Sequence, residues 1–218
     1  MTSSQDTTSD TFSRQWSRES LPNNLRKWVR ETTQYLTDLY QGVSNGDGDI
    51  DFYKAEKERA LDKASINWRV EGSERTVIGV GKTWGGGPIF GNQQRVVLKI
   101  QPSAPVTEHD AANQTAIQTY DQILENGDSD LVSSFIEAGN DGAWIAQDYA
   151  VPINPPRGDT HSPSDWIRDT ADTAIRDRFK ATCRSRGLSV NVGRGNVGID
   201  NAGTAVLLDI GGHTHYRD

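Results

Sequence analysis

Asn196 and Asp209 stand thirteen residues apart on what reads as the two arms of one hairpin. The stretch VNVGRGNVGIDNAGTAVLLDIGG reads as a loop, a short strand, an Asn201-Ala202-Gly203 turn and a second, apolar strand that ends in Asp209. An amide oxygen and a carboxylate so placed can converge on a hard cation. Mg²⁺ takes one or two such protein oxygens and leaves its other positions to phosphates and water. Lys99, near the end of the β-branched run RVVLKI (95–100), would add a point charge for phosphate oxygens. Upstream, GVGKT (79–83) has the residues of a phosphate loop without its spacing. A Walker A loop needs a glycine five residues before its Gly-Lys pair, and Thr76 stands there. A dinucleotide fingerprint also fails, because Trp84 occupies the third glycine position and a strand rather than a helix is predicted to follow. What remains is Gly79 and Gly81 in a glycine-bearing turn between strands, ahead of the strand that carries Lys99.

The elements that must position these groups are legible from periodicity. Residues 1–20 are Ser, Thr, Asp and Gln with almost no apolar content, which predicts a flexible tail. Leu25, Trp28, Val29, Leu36, Leu39, Tyr40 and Val43 share one helical face. SNGDGD (44–49) breaks that helix, and a second, weaker one is expected over 51–64 with Phe52, Leu61 and Ala64 towards the core. The period then changes to strands at 66–72, 75–81 and 95–100, with the glycine-rich KTWGGGPIFG between the last two. A helix is expected over 107–125, then two strands (133–139 and 143–149) joined by Asn140-Asp141-Gly142, a strong hairpin signal. A Pro-rich stretch leads to a helix over 165–184 carrying Trp166, Ile167, Ile175, Phe179 and Cys183 on its apolar face. This order predicts an α+β fold with helices segregated from an antiparallel sheet.

The stretch from about 75 to 212 resembles the protein kinase-like fold in a reduced form, similar to small kinase-like proteins of haloarchaea and their viruses. TVIGVGKTWGGG resembles the glycine-rich loop, VVLKI the strand with the nucleotide lysine, and AWIAQDY the fifth strand running into the hinge. GNVGID…VLLDIG resembles the metal half of the catalytic loop followed by the Asp-Phe-Gly strand. The resemblance implies ATP and Mg²⁺ as cofactors, Gly79, Gly81 and Lys99 as nucleotide residues, and Asn196 and Asp209 as metal ligands. It also implies a kinase-like N-lobe over 66–150 and a minimal C-lobe over 151–218, with a helical extension at 21–65.

Four departures point to a pseudokinase-like protein with weak or absent phosphotransfer. Asn191 stands at the catalytic aspartate position, and an amide cannot accept the hydroxyl proton as a carboxylate does. The helix position that should carry the lysine's glutamate partner falls near Ala116, with Glu108 and Glu125 at the ends of that helix. The third loop glycine is out of register, Gly85 lying one residue away, and only about 70 residues follow the hinge. The alternative from another class is a scaffold that uses the fold, and residues 21–65, to bind a protein partner in a viral or host assembly.

Composition narrows the classes further. Thirty acidic against 23 basic residues leave a net charge of −7, which argues against an electrostatic grip on nucleic acid. The 21 Asp against 9 Glu, and 16 Arg against 7 Lys, favour a salt-adapted, halophilic protein over a mesophilic one with skewed codon usage. No apolar run approaches a membrane span and the N-terminal stretch lacks the apolar core of a secretory signal, so a cytoplasmic or virion-associated protein is expected. Cys183, the single cysteine, reads as a small core residue. Asn45, Asp47, Asp49 and Glu56 take positions 1, 3, 5 and 12 of an EF-hand count. Ile50 replaces the required glycine, which makes this a solvated acidic turn rather than a Ca²⁺ loop. His213 and His215 lack a third ligand and read as part of an exposed tail.

Overall fold

The computed structural model describes residues 13–17, 20–46, 48–62, 66–71, 75–81, 95–101, 112–139, 142–153, 172–193 and 195–217. The expectations on Asp47, Ala64, Trp84, Gly85, Glu108, Trp166 and Ile167 lie outside these residues, as do His109 and His161, which stand isolated in the sequence.

The longest element is α1 (Asn23–Ser44). It buries Leu25, Val29, Leu36 and Tyr40, whose spacing of four, seven and four keeps them on one face. Gly46 ends it with a φ of +81°, a conformation that glycine adopts without a Cβ clash. The next helix, α2 (Ile50–Asp62), turns in Tyr53, Ala60 and Leu61 and leaves Phe52 55 % exposed. The expectation for Phe52 is thereby corrected. Tyr53, not Phe52, shares the 3.6-residue stripe with Leu61.

A six-stranded sheet lies against these helices. Its order is β1 (Ser13–Gln15), β5 (Phe135–Gly139), β6 (Trp144–Asp148), β4 (Arg95–Ile100), β3 (Thr76–Gly81) and β2 (Ile66–Glu71). All neighbours are antiparallel. The tail expected over 1–20 is therefore structured at 13–17. Ser13–Gln15 pair with the edge of the sheet, and the Trp16 ring meets Tyr120 and Phe135 edge-on. Alternation along each strand splits the core into two faces. Ile78, Val80, Val96, Leu98, Ile100, Trp144 and Ala146 pack with α1 and α2. Phe135, Ala138 and Ile145 face the other way, towards α3 (Ala112–Glu125) and the C-terminal part of the chain.

That C-terminal part carries β7 (Val151–Pro152), α4 (Asp172–Ser185), β8 (Leu188–Ser189), β9 (Val197–Ile199), β10 (Ala205–Leu207) and β11 (His215–Tyr216). The last three-stranded unit runs β10-β9-β7, with Gly203 at φ +81° in the predicted turn. Its tie to the large sheet is the backbone bond from Ser133 N to Leu207 O, at 2.9 Å. Within the expected tail, His215–Tyr216 form β11, which pairs with β8, and the Tyr216 hydroxyl donates to Asp128. His213 and His215 are both exposed. The architecture is α+β, with helices on both sides of an antiparallel sheet. No described helix is long and apolar enough to cross a membrane.

Candidate functional site

Lys99 is the fifth residue of β4, between Leu98 and Ile100, which point to the helical face. Alternation sends Lys99 to the opposite face, where it is 3 % exposed. Its ammonium donates to the Leu208 carbonyl and approaches Asp209 Oδ1 at 3.4 Å. Asp209 lies two residues beyond β10, on a side chain 46 % exposed. The strand lysine and the carboxylate from the predicted hairpin are thus neighbours, brought together across 110 residues of chain.

A third charge joins them. Arg75 directly precedes β3 and is 5 % exposed. Its Nη2 donates to Asp209 Oδ1 at 2.7 Å and its Nη1 to Asn113 Oδ1 at 3.1 Å. Asn113, at the start of α3, is fully buried. Its amide nitrogen donates to the Lys99 carbonyl at 3.2 Å, and its backbone N–H to Gln101 Oε1 at 3.0 Å. The ends of β4 and β10 and the starts of β3 and α3 therefore meet in one polar network. Burial, with help from the Arg75 charge and against the pull of Asp209, lowers the Lys99 pKa to about 8. Desolvation alone would raise Asp209, but the charges of Lys99 and Arg75 hold it below the usual carboxylate range.

Arg75 escaped the sequence reading. Thr76 pairs with Ile100, so Arg75 falls one step beyond, on the same face as Lys99. Parity could have exposed that only with the β3–β4 register in hand. The glycine-rich connection between those strands carries no hydrophobic pattern to set it.

Gly79 and Gly81 are buried strand residues paired with Val97 and Arg95. They share the Lys99 face, but lie two and four residues along β3 from Val77, which pairs with Lys99. At 3.4 Å per residue that is roughly 7 and 14 Å. The rest of the glycine-rich stretch, 82–94, is outside the described residues.

Asn191 and Asn196 meet each other. Asn191 Oδ1 accepts from Gly193 N at 2.9 Å, an Asx turn, and Asn196 Nδ2 donates to the Asn191 carbonyl at 3.3 Å. Asn196 is joined to the Lys99–Asp209 pair through the backbone, its carbonyl accepting from Leu208 N at 2.8 Å. Among the described residues no three His, Cys, Asp or Glu side chains group as metal ligands. An asparagine with one aspartate still suffices for Mg²⁺ that keeps phosphate and water ligands.

The remaining candidates have structural uses. Asp49 Oδ1 accepts from Asp51 N at the start of α2, while Glu56 is buried against the Tyr35 hydroxyl and pairs with Arg59. Cys183 is fully buried, and burial pushes its thiol up to about 11, away from thiolate chemistry. No protein-family model matches the chain, and no curated protein matches its sequence.

Proposed function

We propose that this chain is a kinase-like nucleotide-binding protein with weak or absent phosphotransfer. The observation that carries the reading is the meeting of Lys99 and Asp209 on the face of the sheet opposite α1 and α2. A lysine on a sheet strand and a carboxylate just past an apolar strand are the charged pair that kinases place on phosphates and Mg²⁺. Further support comes from the strand order. The strands resembling the glycine-loop, lysine and hinge segments are consecutive neighbours, β3-β4-β6, and α3 follows the lysine strand in the chain. On this reading Lys99 holds ATP phosphates, and Asn196 and Asp209 are the residues that would hold Mg²⁺. Gly79 and Gly81 add no side chain of their own to that face, where Val77 and Val97 pack with Tyr149 and Val151.

Weak chemistry follows from two features. Asn191 spends its amide oxygen on Gly193 and cannot serve as a base, and Arg75 already occupies the Asp209 carboxylate. Calorimetric titration of ATP with Mg²⁺ into the full chain tests the reading. Binding is expected, and Lys99→Met should weaken it at least about tenfold, or roughly 1.4 kcal/mol. A folded chain that ignores ATP would leave the scaffold function, with a protein partner for residues 21–65. Asn191→Asp keeps the acceptor for Gly193 N–H and adds the missing base, so phosphate transfer should rise by about 10² or more over the parent chain.

A further inference from the structure

We infer that Arg75 does the work usually given to a metal ion, making this site a metal-independent binder of polyphosphate. The inference rests on the nucleotide reading of the Lys99 face, though not on its Mg²⁺ half. Charge balance is the first ground. Among the described residues two buried cations, Arg75 and Lys99, face one carboxylate, and Asp209 and Arg75 are the charged groups that act on Lys99. The cluster therefore carries a surplus positive charge, which repels a divalent cation and attracts an anion. Geometry is the second. Both cations approach the same oxygen of Asp209, Oδ1. That oxygen is spent on the Arg75 guanidinium at 2.7 Å and the Lys99 ammonium at 3.4 Å, so a metal ion on the other carboxylate oxygen would stand beside two positive groups.

The third ground is the way Arg75 is held. Asn113, fully buried and tied to β4 through the Lys99 carbonyl and the Gln101 side chain, accepts from Nη1. The turn after Asp209 runs alongside the guanidinium, where a Cβ at Gly211 would stand in ordinary contact with Nη2 at 3.7 Å. Arg75 is thus fixed in orientation. Two of its five N–H donors are spent on Asn113 and Asp209, and its planar fork suits the oxygens of a phosphate. Lys99 adds a second, point-like donor beside it. The chemical class this selects is a di- or triphosphate chain, recognised without its metal.

The test is calorimetric titration of the full chain with inorganic tripolyphosphate and with ATP, each in EDTA and in Mg²⁺. The expected result is binding in EDTA within about threefold of that in Mg²⁺. Arg75→Gln should lose the EDTA binding by about tenfold or more, and Arg75→Lys, which keeps the charge without the planar fork, should lose less. Asp209→Asn supplies a variant that keeps both cations. It should tighten tripolyphosphate binding in EDTA, because it removes the competing anion, whereas a metal site would lose affinity. Should Arg75→Gln fail to fold, Arg75→Lys and Asp209→Asn decide the matter by themselves. Binding seen only with Mg²⁺ and abolished in Asp209→Asn overturns the inference and leaves the nucleotide reading standing. Absence of binding under both conditions overturns the two together.

Discussion

Two ion-pair sites on opposite faces of the same sheet are built to different plans. On the helical face, Arg26 of α1 clamps Glu137 of β5 with two bonds, Nε to Oε1 at 2.6 Å and Nη2 to Oε2 at 3.0 Å. Leu21 N also reaches Oε2, and the Glu137 side chain is 1 % exposed. One cation meets one carboxylate, and both carboxylate oxygens are satisfied. On the other face, Lys99 and Arg75 crowd a single oxygen of a carboxylate that is half exposed. Among the described residues the first site matches one cation to one carboxylate and is closed. The second is open and, counted in the same way, carries an unmatched positive charge. A closed pair fastens an element, here the start of α1 to the sheet. An open one with surplus charge keeps capacity for a further ligand, at a cost in burying charge that folding alone does not require.

The contrast predicts opposite responses to mutation. Arg26→Met should cost the most stability, about 3–5 kcal/mol, because it strands the Glu137 carboxylate away from water. Urea unfolding measures this, and a loss below about 1 kcal/mol would make the clamp dispensable. Lys99→Met removes a buried charge yet leaves Asp209 paired with Arg75. Its unfolding free energy should hold or rise, by up to about 3 kcal/mol, while ATP binding weakens at least about tenfold.

Titration distinguishes the sites as well. Lys99 has a pKa near 8 in the folded chain against 10.5 ordinarily. Anion binding should be flat below about pH 8 and weaken as pH rises through it, since the ligand holds the protonated ammonium. Stability of the free protein moves the other way. Between about 8 and 10.5 the unfolded chain binds more protons at this residue than the folded one, so its contribution to stability rises with pH. The difference between the parent chain and Lys99→Met isolates both trends from other titrating groups. Last and smallest, raising KCl should weaken tripolyphosphate binding at the half-exposed cluster while leaving the energetic cost of Arg26→Met almost unchanged. Salt screens exposed charge far more than buried charge.

Much of the local structure was legible in advance because its causes are local. The stripe on α1, the hairpin at 142 with its left-handed glycine, and the Asn201-Ala202-Gly203 turn all follow from periodicity or from a backbone conformation that few residues adopt. Phe52 was misplaced because a two-residue polar-to-apolar boundary leaves the phase of a weak helical stripe undetermined. β1 and β11 went unread for a related reason. Three- and two-residue strands carry too little pattern to declare themselves, and the partner that makes them strands lies more than a hundred or some two dozen residues away.

The candidate site divides along the same line. Residue type and spacing pointed to Lys99, Asn196 and Asp209, because a lysine in a β-branched run and a carboxylate after an apolar strand are visible one-dimensionally. Their distances from one another were not visible, nor was the finding that Asn196 bonds within its own loop while Asp209 is claimed by Arg75. Those outcomes depend on the register between β3 and β4 and on where Ser133 anchors β10 under the sheet. A side chain's chemistry belongs to the residue. The charge it must balance belongs to whatever folding places beside it, and in this protein that neighbour comes from more than a hundred positions away.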